Sequence, residues 1–295
     1  MTQAQKTEKP SDGSLSTHNG FSLISNEKLL GIYSTMLKCR MIEERIHTLR
    51  KESRNAETAA GKSIHVAAIA GAAIDLISGD TLAPSQGALT PCFAKGLPLT
   101  AILSASLGRR VAPRPRYSAL NLVSPALSAS KQLERALEAA KVCKAKRKKN
   151  VVIVFANDSS FAVNELERAM MLAAKRKLPI LFVCETKSSA DDRVVRAKEY
   201  DLPAVAVEDD DAVAVYRVAT EALAHARRGS GPTLIECRPW PCNDRGLGKP
   251  APAKHPIGKM EAYLASKGLF SRKFKTELVS EFTGELDAAV KAVLS

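Results

Sequence analysis

The sequence predicts an α/β fold with a mainly parallel sheet and helices on both faces. The main observation is a strand–helix–strand unit in residues 149–190. Residues 151–155 and 180–184 are continuous apolar runs, as expected of strands that are buried on both faces. The segment between them has apolar residues at helical spacing and ends before Pro179. A unit of this length joins two parallel strands by a right-handed crossover, so it predicts a parallel sheet.

Two different helices precede this unit. Residues 26–54 carry a wide apolar stripe at helical spacing, which predicts a long amphipathic helix packed on the core. Residues 64–77 are mostly small and apolar, and this composition predicts a helix that packs closely against its neighbours. Residues 104–130 are rich in proline, serine and arginine, so we expect the least ordered linker of the chain there.

The two ends of the chain differ in character. Residues 1–25 are polar and predict a disordered tail, whereas residues 26–295 are expected to form a single domain. In the second half, three aspartates at residues 209–211 precede a helix that Gly229 closes. We interpret these aspartates as a helix cap and solvated surface, because acidic side chains are stabilising at a helix N-terminus.

The composition is that of an ordinary globular protein. Of 295 residues, 45% are hydrophobic and 25% are charged. No apolar run approaches the roughly 20 residues that a membrane-spanning helix needs, and residues 1–25 lack the apolar core of a signal peptide. The six cysteines are dispersed without a CxxC pair, which favours reduced thiols in a cytoplasmic protein over a zinc site.

The net charge of +13 raises the question of an anionic partner. The densest basic run is residues 144–149, from Lys144 to Lys149, at the end of a predicted helix. Cations there are favoured by the helix dipole, so the run is explained as a solvated helix end. A docking patch for an acidic partner protein is the alternative. Nucleic acid is disfavoured because no aromatic platform accompanies the run.

Polar residues follow both strands of the central unit, at the edge where parallel sheets bind ligands. The first strand leads into Asn157, Asp158 and Ser159, and the second leads through Cys184, Glu185 and Thr186 to Lys187. With this strand–helix–strand frame, the chain resembles the alpha subunit of the thiamine-diphosphate-dependent 2-oxo acid dehydrogenases. That family has Gly-Asp-Gly after the first strand and Cys-Glu-Asn-Asn after the second. The resemblance therefore implies a thiamine-diphosphate-binding fold.

In that family the aspartate and the last asparagine bind the Mg²⁺ that carries the cofactor's diphosphate. The resemblance makes Asp158 a retained metal-ligand position, places Ser159 beside it, and puts Lys187 where the asparagine stands. An ammonium cannot coordinate Mg²⁺, which requires oxygen ligands. We expect Lys187 to face Asp158 across one crevice and to occupy the place of the metal.

A second motif implied by the resemblance is altered as well. Pro84 and Ser85 match the family's Pro-Ser-Tyr-Arg-x-His, but Gln86 and Gly87 replace the tyrosine and arginine that hold the diphosphate. Leu89 replaces the histidine. Arginine makes short charge-assisted bonds to phosphate and glycine makes none, so the expected loss of binding is about 2–4 kcal/mol.

Further motif positions are substituted. The family's Gln-Glu pair falls at His65 and Val66, and its Gly-His-Ser loop falls at Arg245 and Gly246. Residues 56–63 loosely match a phosphate loop, but a charged helix precedes them instead of the buried strand that such a loop requires. We therefore assign no catalytic residue and no NTPase activity.

The resemblance extends over residues 26–295 and implies an alpha-subunit-like protein. Because the cofactor positions are mostly substituted, we expect a non-catalytic or regulatory subunit without bound cofactor. One alternative is an active subunit that decarboxylates a 2-oxo acid with thiamine diphosphate and Mg²⁺ at a divergent site. Another is a repurposed α/β binding domain with an acidic or nucleic-acid partner. The resemblance also implies a beta-type partner subunit or self-association, with the first helix and residues 64–77 as docking faces.

Overall fold

A five-stranded parallel sheet forms the centre of the protein. The computed structural model describes residues 24–52, 66–109, 116–157, 163–186, 193–238 and 255–295. The strands are β1 (Thr81–Ala83), β2 (Val152–Asn157), β3 (Ile180–Glu185), β4 (Ala204–Glu208) and β5 (Thr233–Arg238). Their order in the sheet is β1-β2-β3-β5-β4, and each of these pairings is parallel. The predicted parallel sheet is confirmed.

Ten α-helices lie within the described residues. They are α1 (Asn26–Glu52), α2 (Val66–Ala73), α3 (Thr90–Ala94), α4 (Leu99–Ser106), α5 (Ala129–Ala145), α6 (Val163–Lys175), α7 (Arg193–Lys198), α8 (Ala212–Arg227), α9 (Pro256–Ser266) and α10 (Arg272–Leu294). None of these helices combines the length and apolarity that a bilayer-spanning segment requires.

The helices cover both faces of the sheet, as predicted. Within β2, Val152 and Val154 pack on one face with α5, α6 and α7, whereas Ile153 and Phe155 pack on the other with α1, α2 and α8. Successive residues of a strand point to opposite faces, so a strand buried on both sides is apolar throughout. This geometry explains the continuous apolar runs in the sequence.

The strand order reverses once, between β4 and β5. The chain moves in one direction from β1 to β3, passes over the position of β5 to reach β4, and then returns. Right-handed crossovers in opposite directions lie on opposite faces of a sheet. Accordingly, α8, which joins β4 to β5, packs on the face opposite to α5 and α6.

A buried ion pair holds the amino-terminal edge of the sheet together. The carboxylate of Asp80 is fully buried, and its two oxygens accept hydrogen bonds from the Arg227 guanidinium at 2.9 and 2.7 Å. The same oxygens accept the backbone N–H groups of Val151 and Ile77, each at 3.0 Å. One carboxylate thus connects the end of α8, the segment before β1 and the start of β2.

The prediction of a poorly ordered linker at residues 104–130 is wrong for the part that the structure describes. Within the expected linker, residues 104–106 belong to α4 and a 3₁₀ turn spans Tyr117–Leu120. Leu122 forms a bridge to Leu82 of β1, and the side chains of Leu122 and Val123 are buried. Apolar side chains in a segment dominated by proline and serine thus anchor it to the sheet. Of the predicted tail at residues 1–25, residues 1–23 lie outside the described part, whereas Ile24 is buried in the core, so the prediction is wrong at that residue.

The aspartates before α8 are only partly as expected. Asp211 caps α8, since its side chain accepts the N–H groups of Val213 and Ala214 at 3.1 and 2.9 Å. Asp209 and Asp210, however, are each only 4% exposed. Asp210 is buried because its carboxylate pairs with the ammonium of Lys259, in the distant helix α9, at 3.0 Å.

Within the described part of the chain, five cysteines are buried thiols outside any disulfide, namely Cys39, Cys92, Cys143, Cys184 and Cys237. Burial raises the pKa of the Cys92 thiol to about 12 and raises that of Cys237 well above its ordinary value. We therefore expect these five thiols to react with Ellman's reagent only after unfolding in guanidinium. Fast reaction of more than one thiol per native chain would contradict the burial.

Candidate cofactor-binding crevice

The carboxyl ends of β1, β2 and β3 form one edge of the sheet. β2 and β3 are in register up to their last residues, Asn157 and Glu185, which are direct partners. Just beyond β1, the buried hydroxyl of Ser85 donates a hydrogen bond of 3.0 Å to the carbonyl of Phe155 in β2. The turn that follows Ser85 therefore lies at the edge where ligands of parallel sheets bind.

This turn holds Gln86 and Gly87, the predicted diphosphate positions. The N–H of Ala88 donates to the carbonyl of Ser85 at 2.9 Å, which closes a four-residue β-turn. Gly87 has a φ of 75°, in the left-handed region that glycine adopts without strain. Both residues are exposed. The turn thus offers one neutral amide side chain and no positive charge.

Leu89, at the position of the family's histidine, belongs to the core. Its side chain is 9% exposed and packs in the cluster that contains α1, α2 and α8. A buried leucine side chain can neither donate nor accept a proton.

Polar groups that the sequence reasoning missed are buried near the same edge. The carboxylate of Glu236 in β5 is fully buried, and it accepts the backbone N–H of Arg193 at 3.2 Å. Its other oxygen accepts from Nε and Nη2 of Arg238 at 3.0 and 2.9 Å. The sequence signal for these groups is a glutamate within an apolar strand. A buried carboxylate requires hydrogen-bonding partners, so its presence indicates that polar groups are buried beside it.

Several predicted site residues lie outside the described part of the chain. Among them are the three positions of the metal motif, Asp158, Ser159 and Lys187, together with His65, the phosphate-loop-like residues 56–63, Arg245 and Gly246. The pairing of Lys187 with Asp158 stays a prediction. Among the residues that are described, no group of three or more His, Cys, Asp or Glu side chains is placed to hold a metal ion.

His255 has a packing role at the start of α9. Its Nε2 lies 3.0 Å from the guanidinium of Arg40 in α1, and its ring contacts the N–H of Ile257 in the first turn. The histidine thereby joins the C-terminal helices to the first helix.

The docking face predicted at residues 64–77 is wrong for residues 66–73, which form α2. All eight residues of α2 (Val66–Ala73) are buried within the chain, between α1 and α8. The small residues of α2 serve packing inside the subunit, so this helix offers no face to a partner. The exposed side of α1 stays a prediction.

Comparison with known proteins gives a consistent set of relatives. The alpha subunit of an acetoin:2,6-dichlorophenolindophenol oxidoreductase from Bacillus subtilis is 29% identical over 248 residues, which cover 74% of this chain and 71% of that protein. The alpha subunit of a pyruvate dehydrogenase E1 component from Staphylococcus aureus is 23% identical over 91% of this chain and 78% of its own length.

A solved structure extends the comparison to the fold. A transketolase from Pichia stipitis superimposes with a TM-score of 0.50 and 14% identity, covering 92% of this chain. The chain spans 45% of that transketolase, a little under half of its length. At this identity the likeness concerns the fold alone, and it agrees with the predicted α/β fold of the thiamine-diphosphate-binding type.

The family model of the dehydrogenase E1 component matches residues 33–240. The matched segment is more than half of the 295 residues, and it runs from α1 through all five strands. The chain therefore belongs to the dehydrogenase E1 component family, in which it resembles the alpha subunits.

Proposed function

We propose that this chain is a non-catalytic or regulatory alpha-type subunit of a 2-oxo acid dehydrogenase that has lost the binding of magnesium and thiamine diphosphate. The observation that carries the proposal is the turn at Gln86 and Gly87. It lies at the carboxyl edge of the sheet, yet it provides neither a guanidinium nor a phenol for a diphosphate. The cofactor would carry the chemistry itself, so failure to bind it removes the activity.

The described residues do not fit a bound diphosphate. A diphosphate is stabilised by charge-assisted hydrogen bonds from arginine or by a metal ion. Gln86 is uncharged, and the backbone of Gly87 occupies the left-handed region. A replacement of Gly87 by arginine would strain the turn, since L-residues adopt this conformation at a cost of about 1–2 kcal/mol. The backbone conformation of this turn thus favours glycine over a residue that carries a guanidinium.

The substituted motif after β3 supports the same proposal from the sequence. An ammonium at position 187 would pair with Asp158 and compete with Mg²⁺ for it. The ends of β2 and β3, Asn157 and Glu185, are register partners, and residues 158 and 187 follow these ends closely. The side chains of two separate motifs thus differ from those that bind the cofactor in the family, whereas the strands and helices around them are retained.

Calorimetric titration of the unmodified chain with thiamine diphosphate in the presence of Mg²⁺ tests the proposal. We expect no binding isotherm up to about millimolar ligand, where the binding free energy would be only about −4 kcal/mol. Micromolar binding by the unmodified chain would overturn the proposal and favour an active subunit with a divergent site.

A matched pair of variants tests the role assigned to Lys187. We expect Lys187→Asn to bind Mg²⁺ and thiamine diphosphate more tightly than the unmodified chain, because an amide oxygen replaces a competing cation. Lys177→Asn is the control, since Lys177 is exposed and precedes the amino end of β3, far along the strand from the crevice. If the two variants bind thiamine diphosphate with equal affinity, Lys187 is not the cause of the lost binding.

We also propose a beta-type partner subunit for this chain. Both relatives described above are named as alpha subunits. Co-purification of the chain from its native source, followed by identification of the associated protein, tests this assignment. A chain that is recovered alone or only with copies of itself would contradict it.

A further inference from the structure

Three of the helices that pack on the sheet end with basic residues at its amino-terminal edge. α5, α6 and α8 each lead into the amino end of a parallel strand, β2, β3 and β5 respectively. These three strands are neighbours at the centre of the sheet. The residues that end the helices are 144–149, 175–177 and Arg228, and every basic side chain among them is exposed. We call this set the amino-edge basic surface.

The amino-edge basic surface is continuous and fixed by direct contacts. The ammonium of Lys144 donates to the carbonyl of Arg176 at 2.5 Å, which joins the ends of α5 and α6. Arg227 donates to the carbonyl of Lys149 at 3.1 Å, which joins the ends of α8 and α5. A β-carbon at Gly231 would lie 3.5 Å from Cα of Lys177. The three loops are therefore held next to one another.

Two of these cations occupy backbone positions that suit glycine. Arg147 and Lys177 have φ values of 48° and 45°, each directly after a helix end. Helices commonly close with glycine at such a left-handed residue, because a β-carbon there is strained. A solvated helix end has no need of a side chain at this point. At these two positions the chain carries a cation in place of the usual glycine.

We propose that the amino-edge basic surface is a docking site for an acidic segment of a partner protein. The charge of the surface is complementary to carboxylates, and the contacts between the three loops keep its basic segments together. Residues 144–149, 175–177 and Arg228 include no aromatic side chain for base stacking.

This docking site is separate from the candidate crevice. The crevice lies at the carboxyl edge of the sheet, and the basic surface lies at the opposite edge. The proposal is therefore independent of the proposed loss of cofactor binding, and a titration with thiamine diphosphate does not bear on it.

Fluorescence anisotropy with a labelled oligoglutamate peptide tests the docking site. The full chain is titrated at physiological ionic strength, and the patch variant Lys146→Gln/Lys148→Gln/Lys149→Gln is compared with it. We expect the unmodified chain to bind and the patch variant to bind about tenfold more weakly, because exposed ion pairs contribute modestly and add up. The affinity should also fall as salt is raised.

A control variant with the same net charge as the patch variant shows whether binding depends on this surface or only on the total charge of the chain. The control Lys51→Gln/Lys131→Gln/Lys291→Gln removes three exposed lysines from other parts of the chain. We expect this control to bind the peptide as the unmodified chain does. Equal weakening in both variants, or no binding by the unmodified chain, would overturn the proposal. Tighter binding of duplex DNA of matched charge would overturn it in favour of nucleic acid.

The two left-handed residues provide a second test, in which stability and binding change in opposite directions. Arg147→Gly and Lys177→Gly should each raise the melting temperature by about 1–4 °C, because the strain of the β-carbon is removed. Each should also weaken binding of the oligoglutamate peptide. A higher melting temperature with unchanged peptide binding would show that these cations serve no partner and would contradict the proposal.

Discussion

Replacement of Arg227 by alanine is expected to lower the free energy of unfolding by about 3–5 kcal/mol. The guanidinium of Arg227 makes two hydrogen bonds to the fully buried carboxylate of Asp80, at 2.9 and 2.7 Å. Without it, a negative charge would remain buried with only the N–H groups of Val151 and Ile77 as partners. Urea unfolding followed by circular dichroism measures the loss.

Arg228 provides the matched control for this prediction. It is the next residue, it is exposed, and its replacement by alanine should change stability by less than about 0.5 kcal/mol. A double variant that replaces both Asp80 and Arg227 with apolar residues should lose less than the two single losses added together, since no unpaired charge remains. Equal effects of Arg227→Ala and Arg228→Ala would show that the buried pair is not stabilising.

Replacement of Gly71 by alanine is the second large expected effect, a net loss of about 2 kcal/mol. Gly71 lies in α2 where this helix touches the start of α8. A β-carbon there would lie 2.8 Å from the carbonyl oxygen of Ala212 and 2.9 Å from the side chain of Val215. The first obstacle is backbone, which cannot rotate away, so the two helices must separate. Thermal or urea unfolding measures the change.

Gly284 gives the control with the opposite sign. It lies in the exposed part of α10, and nothing lies within 4 Å of the place that its β-carbon would take. Gly284→Ala should stabilise the chain by about 0.5–1 kcal/mol, because alanine restricts the unfolded chain and favours the helix. If both glycine variants are stabilised, the close approach of α2 and α8 is not a real constraint.

The strand–helix–strand unit could be predicted because its signals are local. The apolar runs of β2 and β3 are buried on both faces, and Pro179 separates α6 from β3. The bounds of α1 also follow from its periodicity, which predicted residues 26–54 where the helix is described as Asn26–Glu52. The family frame singled out Gln86 and Gly87 as diphosphate positions, and the structure has their turn at the carboxyl edge of the sheet.

What the sequence could not reveal depends on distant residues. Asp210 is buried because Lys259, which lies in another helix, neutralises it. Glu236 is buried because Arg193 and Arg238 satisfy its oxygens. The strand order is a further case, since nothing local indicates that β5 inserts between β3 and β4. That order brings residues 144–149, 175–177 and Arg228 to one edge, so the sequence showed only the first of these runs.

The conformation of Gly87 has a consequence for engineering a phosphate site into this turn. An arginine placed there would meet a backbone with φ of 75°, which L-amino acids adopt at a cost of about 1–2 kcal/mol. Arg147 and Lys177 already occupy the same region, with φ values of 48° and 45°. A guanidinium could therefore be installed at residue 87 at a modest cost in stability, without a prior redesign of the loop.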